Sequence, residues 1–145
     1  MPMTLQPLDS RAIVRLPLYA TRIPAGFPSP ADDYLEASLS IQDLLILHPS
    51  ATFYLTVAGE SMMGAGIFPR DILVVDRALT PHAGDVVVAQ VDGDFTVKRF
   101  YREQGAILLK PENPAYAVIV IRPEQQFEIF GVVRWVIHNP NRRSS

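Results

Sequence analysis

Seven short runs rich in Val, Ile, Phe and Tyr occupy most of the chain after residue 51, and they constrain its fold more than any other feature. The runs cover residues 52–58, 72–76, 85–91, 94–101, 106–110, 117–121 and 126–138. Gly, Pro or Asp bounds most of them, which is typical of strands separated by turns. Asp92-Gly93 stands between two runs and is typical of a two-residue hairpin turn. The pattern predicts a mainly β domain with a twisted, partly closed sheet.

The first 34 residues differ from the rest because proline interrupts them at positions 2, 7, 17, 24, 28 and 30. Proline fixes φ and lacks an amide donor, so it disfavours both helix interiors and central strands. We therefore predict an extended N-terminal arm over residues 1–34, with one edge strand over residues 12–19 and exposed chain over residues 23–28. An ordinary terminal tail remains the alternative. Residues 35–145 are then the β-rich domain.

One short helix is predicted ahead of the first run of that domain. Ser40 can cap its start, and Asp43 three residues later completes a weak capping box. Apolar residues at positions 41, 44 and 45 share one face, and Pro49 ends the helix after His48. The polar residues 139–145 are predicted to fray.

The composition excludes several function classes. The net charge is -2 at pH 7, which gives no support for nonspecific binding to nucleic acid. Cysteine is absent and the three histidines are scattered, so we predict no cofactor and no metal site. Charged residues interrupt the N-terminal apolar residues, unlike in a signal peptide, and no run approaches the ~18 apolar residues of a membrane span. These features predict a soluble, cytoplasmic protein.

Ser61 is the first residue whose setting suggests chemistry. It follows a predicted strand and lies in a glycine-rich turn, GESMMGAG, residues 59–66. Glycine lets the backbone approach a substrate closely, and amides in such a turn can face an oxyanion. Met63 and Gly64 do not fit the nucleophile elbow and the S-x-x-K box, respectively. A turn serine without chemistry remains an alternative, as does a Ser-His-Asp triad with one of the histidines.

Lys98 is the residue best placed to activate a serine. If Asp92-Gly93 is a two-residue turn, Val87 lies opposite Lys98, and alternation puts the lysine among apolar side chains. Lost hydration lowers the pKa of a lysine, which a general base requires, because only one lysine in ~2,500 is neutral at pH 7 with an ordinary pKa of ~10.4. Arg99 lies on the opposite face and cannot deprotonate. A lysine that reaches solvent from an edge strand remains the alternative.

Several motifs, in this order and spacing, resemble those of the LexA/UmuD self-cleaving peptidases. They are GESM (59–62), DILVVD (71–76), GDVVVA (84–89), FTVKR (95–99), LKPENPAY (109–116) and FGVV (130–133). Ala25-Gly26, upstream of the serine, resembles the family's cleavage site. The segments 27–31, 33–34 and 44–52 resemble the UmuD branch, whereas residues 68–70 depart from it by lacking a glycine before Asp71. The likeness covers roughly residues 12–138.

The resemblance implies a mainly β peptidase fold and a catalytic dyad in which Ser61 is the nucleophile and Lys98 the general base. It implies self-cleavage between Ala25 and Gly26, stimulated by a RecA–single-stranded DNA filament. The processed form would be a homodimer that joins a UmuC-like Y-family polymerase and copies past lesions during the SOS response.

Two other function classes compete with this interpretation. A LexA-like repressor needs a helix-turn-helix before the cut, and the 25 residues before Gly26 are broken by proline, so we expect no direct sequence-specific DNA binding. A non-cleaving β interaction module that regulates a DNA polymerase is the remaining alternative.

Overall fold

The computed structural model describes residues 13–19, 22–26 and 35–141, and the chain divides into two units, Met1–Leu47 and His48–Ser145. The predictions made for residues 1–12, 20–21 and 27–34 of the arm and for residues 142–145 of the tail lie outside the described residues. The predicted division of the chain after residue 34 stays a prediction.

The first unit contains a two-stranded antiparallel sheet of β1 (Leu16–Tyr19) and β2 (Leu35–Leu39). Strand β1 lies within the strand predicted for the arm. Strand β2 was not predicted, because its sequence LEASL contains no β-branched or aromatic residue and only its pairing with β1 reveals it.

Helix α1 (Ile41–Leu45) begins as predicted, because the Ser40 hydroxyl accepts a hydrogen bond from the Asp43 amide at 3.3 Å. The predicted end at His48 was wrong. The Ile46 backbone is already extended while its amide donates to the Gln42 carbonyl, and a 3₁₀ turn, Pro49–Ala51, follows. The Asp43 carboxylate does not complete a capping box but accepts from Arg15 at 3.3 Å.

The second unit is built on one seven-stranded antiparallel sheet, which confirms the mainly β prediction. Its strands are β3 (Thr52–Thr56), β4 (Ile72–Asp76), β5 (Val86–Val91), β6 (Asp94–Glu103), β7 (Ala106–Lys110), β8 (Ile119–Val120) and β9 (Phe127–Ile137). The spatial order is β3-β4-β9-β5-β6-β7-β8. Within the described residues the end strands β3 and β8 do not pair, so the sheet does not close into a barrel.

The hairpin of β5 and β6 has the predicted register. Asp92 and Gly93 have φ values of 48° and 90°, as a two-residue turn with both residues in the left-handed region requires. Val91 therefore pairs with Asp94, and Val87 lies opposite Lys98. This register fixes where the lysine enters the interior of the unit.

Two apolar clusters form the core, and strand β5 contributes to both because successive side chains point to opposite faces. Val88 belongs to the first cluster, together with Val57, Met62, Ile67, Leu73 and Val75. Val87 and Ala89 belong to the second, together with Phe100, Leu109 and Val132. The first cluster anchors the loop that follows β3, which carries Ser61.

Candidate active site

The Ser61 loop connects β3 to β4 and is pinned by apolar side chains next to the serine. Met62 and Ile67 are each only 2% exposed and pack into the first core cluster. A 3₁₀ turn, Met63–Ala65, lies between them, and Gly66 ends it with a φ of 78°. The buried Met62 therefore holds the neighbouring Ser61, a partly exposed residue, at the surface of the core.

A second segment, which follows β7, holds the loop from the other side. The Glu112 amide donates to the Ser61 carbonyl at 2.8 Å, and the Glu112 carbonyl accepts from the Gly64 amide at 2.8 Å. The Asn113 side chain donates to the Glu60 carbonyl at 2.8 Å. A Cβ on Gly64 would lie 2.5 Å from the Glu112 carbonyl oxygen, so glycine is required for this close approach.

Lys98 reaches the serine hydroxyl from strand β6. Its Nζ lies 2.9 Å from Ser61 Oγ, 2.6 Å from Thr96 Oγ1 and 3.2 Å from the Val97 carbonyl oxygen. The residue is only 8% exposed, although it carries an amine. The structure thus brings together the two residues that the sequence singled out.

Burial lowers the pKa of Lys98 below its ordinary value, in the direction that the hairpin register predicted. A neutral amine has two N–H donors and one lone pair. The Thr96 hydroxyl and the Val97 carbonyl can accept the two N–H groups, which leaves the lone pair to accept the Ser61 proton. The arrangement can therefore hold Lys98 as a base.

A cavity of about 380 Å³ opens beside Ser61 and Lys98, and most of its wall is apolar. Three phenylalanines are part of this wall. The ring of Phe130 packs edge-on against the rings of Phe53 and Phe95, at centroid distances of 6.0 and 5.1 Å. The Arg77 guanidinium lies over the same ring at 4.5 Å. Such a cavity suits a short extended peptide with few charges.

Ala25 and Gly26, the predicted cleavage site, lie in the first unit, whereas Ser61 and Lys98 lie in the second. Residues 22–26 are exposed and belong to no helix or strand. A Cβ on Gly26 would have nothing within 4 Å. The bond between the two residues is therefore not enclosed by the unit that carries it.

The histidines are half-exposed or exposed, and among the described residues none lines the cavity beside Ser61. Two of them make contacts that the sequence did not reveal. His48 Nδ1 lies 2.6 Å from Asp76 Oδ2, and His138 Nδ1 lies 2.6 Å from Asp71 Oδ1. Both carboxylates are buried, Asp71 just before β4 and Asp76 at its end, and no pattern in the sequence links them to histidines 67 and 28 positions away.

No group of three or more metal-ligating side chains occurs in the part of the chain that the structure describes. Within the same residues, no helix is long and apolar enough to cross a membrane.

In the second unit, an antiparallel sheet places a buried lysine next to a loop serine. The fold and the site together therefore define a β-rich protein with a Ser–Lys pair. Comparison with known families matches residues 17–134 to the Peptidase S24-like family. The chain belongs to this family, which confirms the resemblance found in the sequence.

Three relatives illustrate the family membership. The chain is 45% identical to protein SamA of Salmonella typhimurium over 133 residues, which cover 92% of this chain and 89% of SamA. It is 48% identical to protein ImpA of Escherichia coli over 128 residues, 84% of this chain and 83% of ImpA. It is 36% identical to the LexA repressor of Paracidovorax citrulli over 133 residues, 92% of this chain but 58% of the repressor.

Proposed function

We propose that this chain is a self-cleaving serine peptidase that cuts its own Ala25–Gly26 bond, with Ser61 as nucleophile and Lys98 as general base. The 2.9 Å contact between Lys98 Nζ and Ser61 Oγ carries the proposal. Nucleophile and base must lie within hydrogen-bond reach, and the base must be able to lose its proton near neutral pH. The burial of Lys98 supports the second condition.

In the first step, neutral Lys98 accepts the Ser61 proton as Oγ bonds to the carbonyl carbon of Ala25. The oxyanion that forms needs preorganised donors. Among the described residues no backbone hydrogen bond from the Ser61 or Met62 amide is found, and in this proposal the Ser61 amide supplies one of these donors.

In the second step, the bond between the Ala25 carbonyl carbon and the Gly26 nitrogen breaks. Protonated Lys98 returns its proton to the Gly26 amine, which leaves, and Ala25 stays on Ser61 as an ester. Water then attacks that ester with Lys98 again as base, which frees the serine and the Ala25 carboxylate. Each chain supplies one such bond, so each chain is cut once.

The arm supports this proposal because its cleavage site is small and exposed. The side chains of Ala25 and Gly26 are small, and tethering the substrate to the enzyme removes most of the entropy cost of binding. Cutting then depends on how often the arm occupies the cavity. An activator that favours the seated arm would increase the rate.

The resemblance to the LexA/UmuD peptidases supplies the biological role in the proposal. The RecA–single-stranded DNA filament would be the activator in the cytoplasm. The processed form, which begins at Gly26, would be a homodimer that serves a UmuC-like Y-family polymerase as an accessory subunit in lesion bypass. Family membership and the extent of the match to SamA and ImpA support this role.

The test is to incubate the purified chain with RecA, single-stranded DNA and a nonhydrolysable ATP analogue, and to measure intact mass. We expect a fragment that begins at Gly26, and none from Ser61→Ala or Lys98→Met. An uncut wild-type chain would favour the non-cleaving interaction module. The same fragment from Ser61→Ala would exclude Ser61 as the nucleophile.

A further inference from the structure

Arg99 follows Lys98 in strand β6 and contacts the segment that supports the Ser61 loop. Its Nε donates to Glu112 Oε1 at 2.6 Å, and its NH1 donates to the Gly84 carbonyl oxygen at 2.7 Å. The side chains of Arg99 and Glu112 are 31% and 38% exposed. The guanidinium is thus held at two points, and water screens the ion pair only in part.

Glu112 connects this ion pair to the nucleophile through its own backbone. Its amide and carbonyl bond to Ser61 and Gly64, so the loop is tied to Glu112 on both sides of Met62. The contact at Gly64 leaves no room for a Cβ. A displacement of Glu112 must therefore displace the Ser61 loop.

We propose that Arg99 is a positioning residue whose ion pair with Glu112 fixes Ser61 at the distance from Lys98 that proton transfer requires. This inference rests on the proposed function. Successive side chains of a strand point to opposite faces, so β6 can direct Lys98 to the serine and Arg99 to the support of the serine loop without competition. One strand then sets the positions of both the base and the nucleophile.

The variant that tests this role is Arg99→Met, which keeps an unbranched stem and removes the guanidinium. A misplacement of about 1 Å can cost ~100-fold in rate. We expect the rate constant of unstimulated self-cleavage to fall ~10- to ~100-fold at every pH. The midpoint of the pH–rate profile should not move, because burial is what lowers the pKa of Lys98. The carboxylate of Glu112 contacts Arg99 and not Lys98.

The ion pair of Lys110 with Glu103 is a matched control. It joins β6 to β7 itself at 2.8 Å, one strand end away from Glu112, and among the described residues neither of its side chains hydrogen-bonds to the Ser61 loop. Lys110→Met should change the cleavage rate less than twofold. In a Glu112→Ala background, Arg99→Met should lose most of its effect, because the connection is already broken. Melting temperatures of all variants separate positioning from loss of folded protein.

The rate at which Ser61 reacts with diisopropyl fluorophosphate, followed by intact mass, measures the reactivity of the nucleophile independently of the arm. Slower labelling of Arg99→Met than of the wild type supports the inference, even if the wild type does not cut itself. A wild-type chain that is labelled but not cut would overturn only the proposal of self-cleavage. Wild-type rates of labelling and cleavage in Arg99→Met, or equal losses in Lys110→Met, overturn the inference alone. A wild-type chain that is neither labelled nor cut overturns both proposals.

Discussion

Lys98 Nζ and Ser61 Oγ lie 2.9 Å apart, although the two residues are 37 positions apart along the chain. In the sheet, three strands lie between β6, which carries Lys98, and β3, which precedes the Ser61 loop. In a flat sheet, β3 and β6 would be about 19 Å apart, which is four strand spacings of ~4.8 Å. The gap closes because the sheet curves around the first core cluster, against which Leu55 of β3 and Val97 of β6 both pack. The pair thus exists only in the folded unit.

Unstimulated cleavage is expected to rise with pH. Burial lowers the pKa of Lys98, and the reactive form is the neutral amine, so the rate should rise about tenfold per pH unit and level off above the folded-state pKa. The measurement is the first-order rate constant from pH 6 to pH 11 without RecA, read by intact mass. The midpoint should fall below the ordinary value of 10.5.

Lys98→Arg is the control for this profile, because arginine stays protonated over the whole range. It should be inactive at every pH. A wild-type rate that does not respond to pH would rule out Lys98 as the base.

Thr96→Val should shift the same profile to lower pH. The Thr96 hydroxyl lies 2.6 Å from Nζ and accepts a hydrogen bond that favours the charged amine, so its loss lowers the pKa of Lys98 further. The plateau should also fall, by about tenfold, because the amine loses a contact that orients it. Thr56→Val, in the wall of the same cavity, is the control and should leave the midpoint unchanged.

Gly64→Ala should slow cleavage more than its effect on stability explains. The added Cβ would lie 2.5 Å from a backbone oxygen, so the Glu112 segment and the Ser61 loop must separate. We expect a loss of about 1–3 kcal/mol in the free energy of unfolding and a rate at least ~10-fold lower. Gly105→Ala serves as the comparison, because it strains a turn residue with φ of 79° away from the loop. Equal rates in the two variants would contradict the prediction.

The folded state should lose stability in acid through Asp76. Burial disfavours its charge, but hydrogen bonds with His48 and from the Ala78 amide, together with Coulombic attraction to His48 and Arg134, outweigh burial and lower its pKa below 3.8. The unfolded chain therefore takes up the proton first, so stability that is present above about pH 4 is lost as the pH falls through the folded-state pKa. The melting temperature between pH 7 and pH 3 should fall less steeply in Asp76→Asn than in the wild type. Asp43→Asn, at an exposed ion pair, should match the wild type.

The strands of the second unit could be predicted from the sequence because turn-forming residues and proline mark their ends. Strand β7, between Gly105 and Pro111, and strand β4 have the predicted bounds. The hairpin register followed from Asp92-Gly93 alone. Strand β2 and the early end of helix α1 were missed, because residues 35–39 carry no strand propensity and the helix ends before its breaker, Pro49.

The sequence by itself determined which residues could do chemistry. The glycine-rich turn drew attention to Ser61 and the two-residue turn placed Lys98 in an apolar register, since both signals depend on local backbone geometry, and the resemblance to the LexA/UmuD peptidases joined the two as a dyad. Only the tertiary structure decided that the two side chains meet, that Glu112 supports the serine loop and that Arg99 holds Glu112. These contacts join segments that lie 13 or more positions apart along the chain, and packing of the curved sheet brings them together. No local propensity encodes such distances.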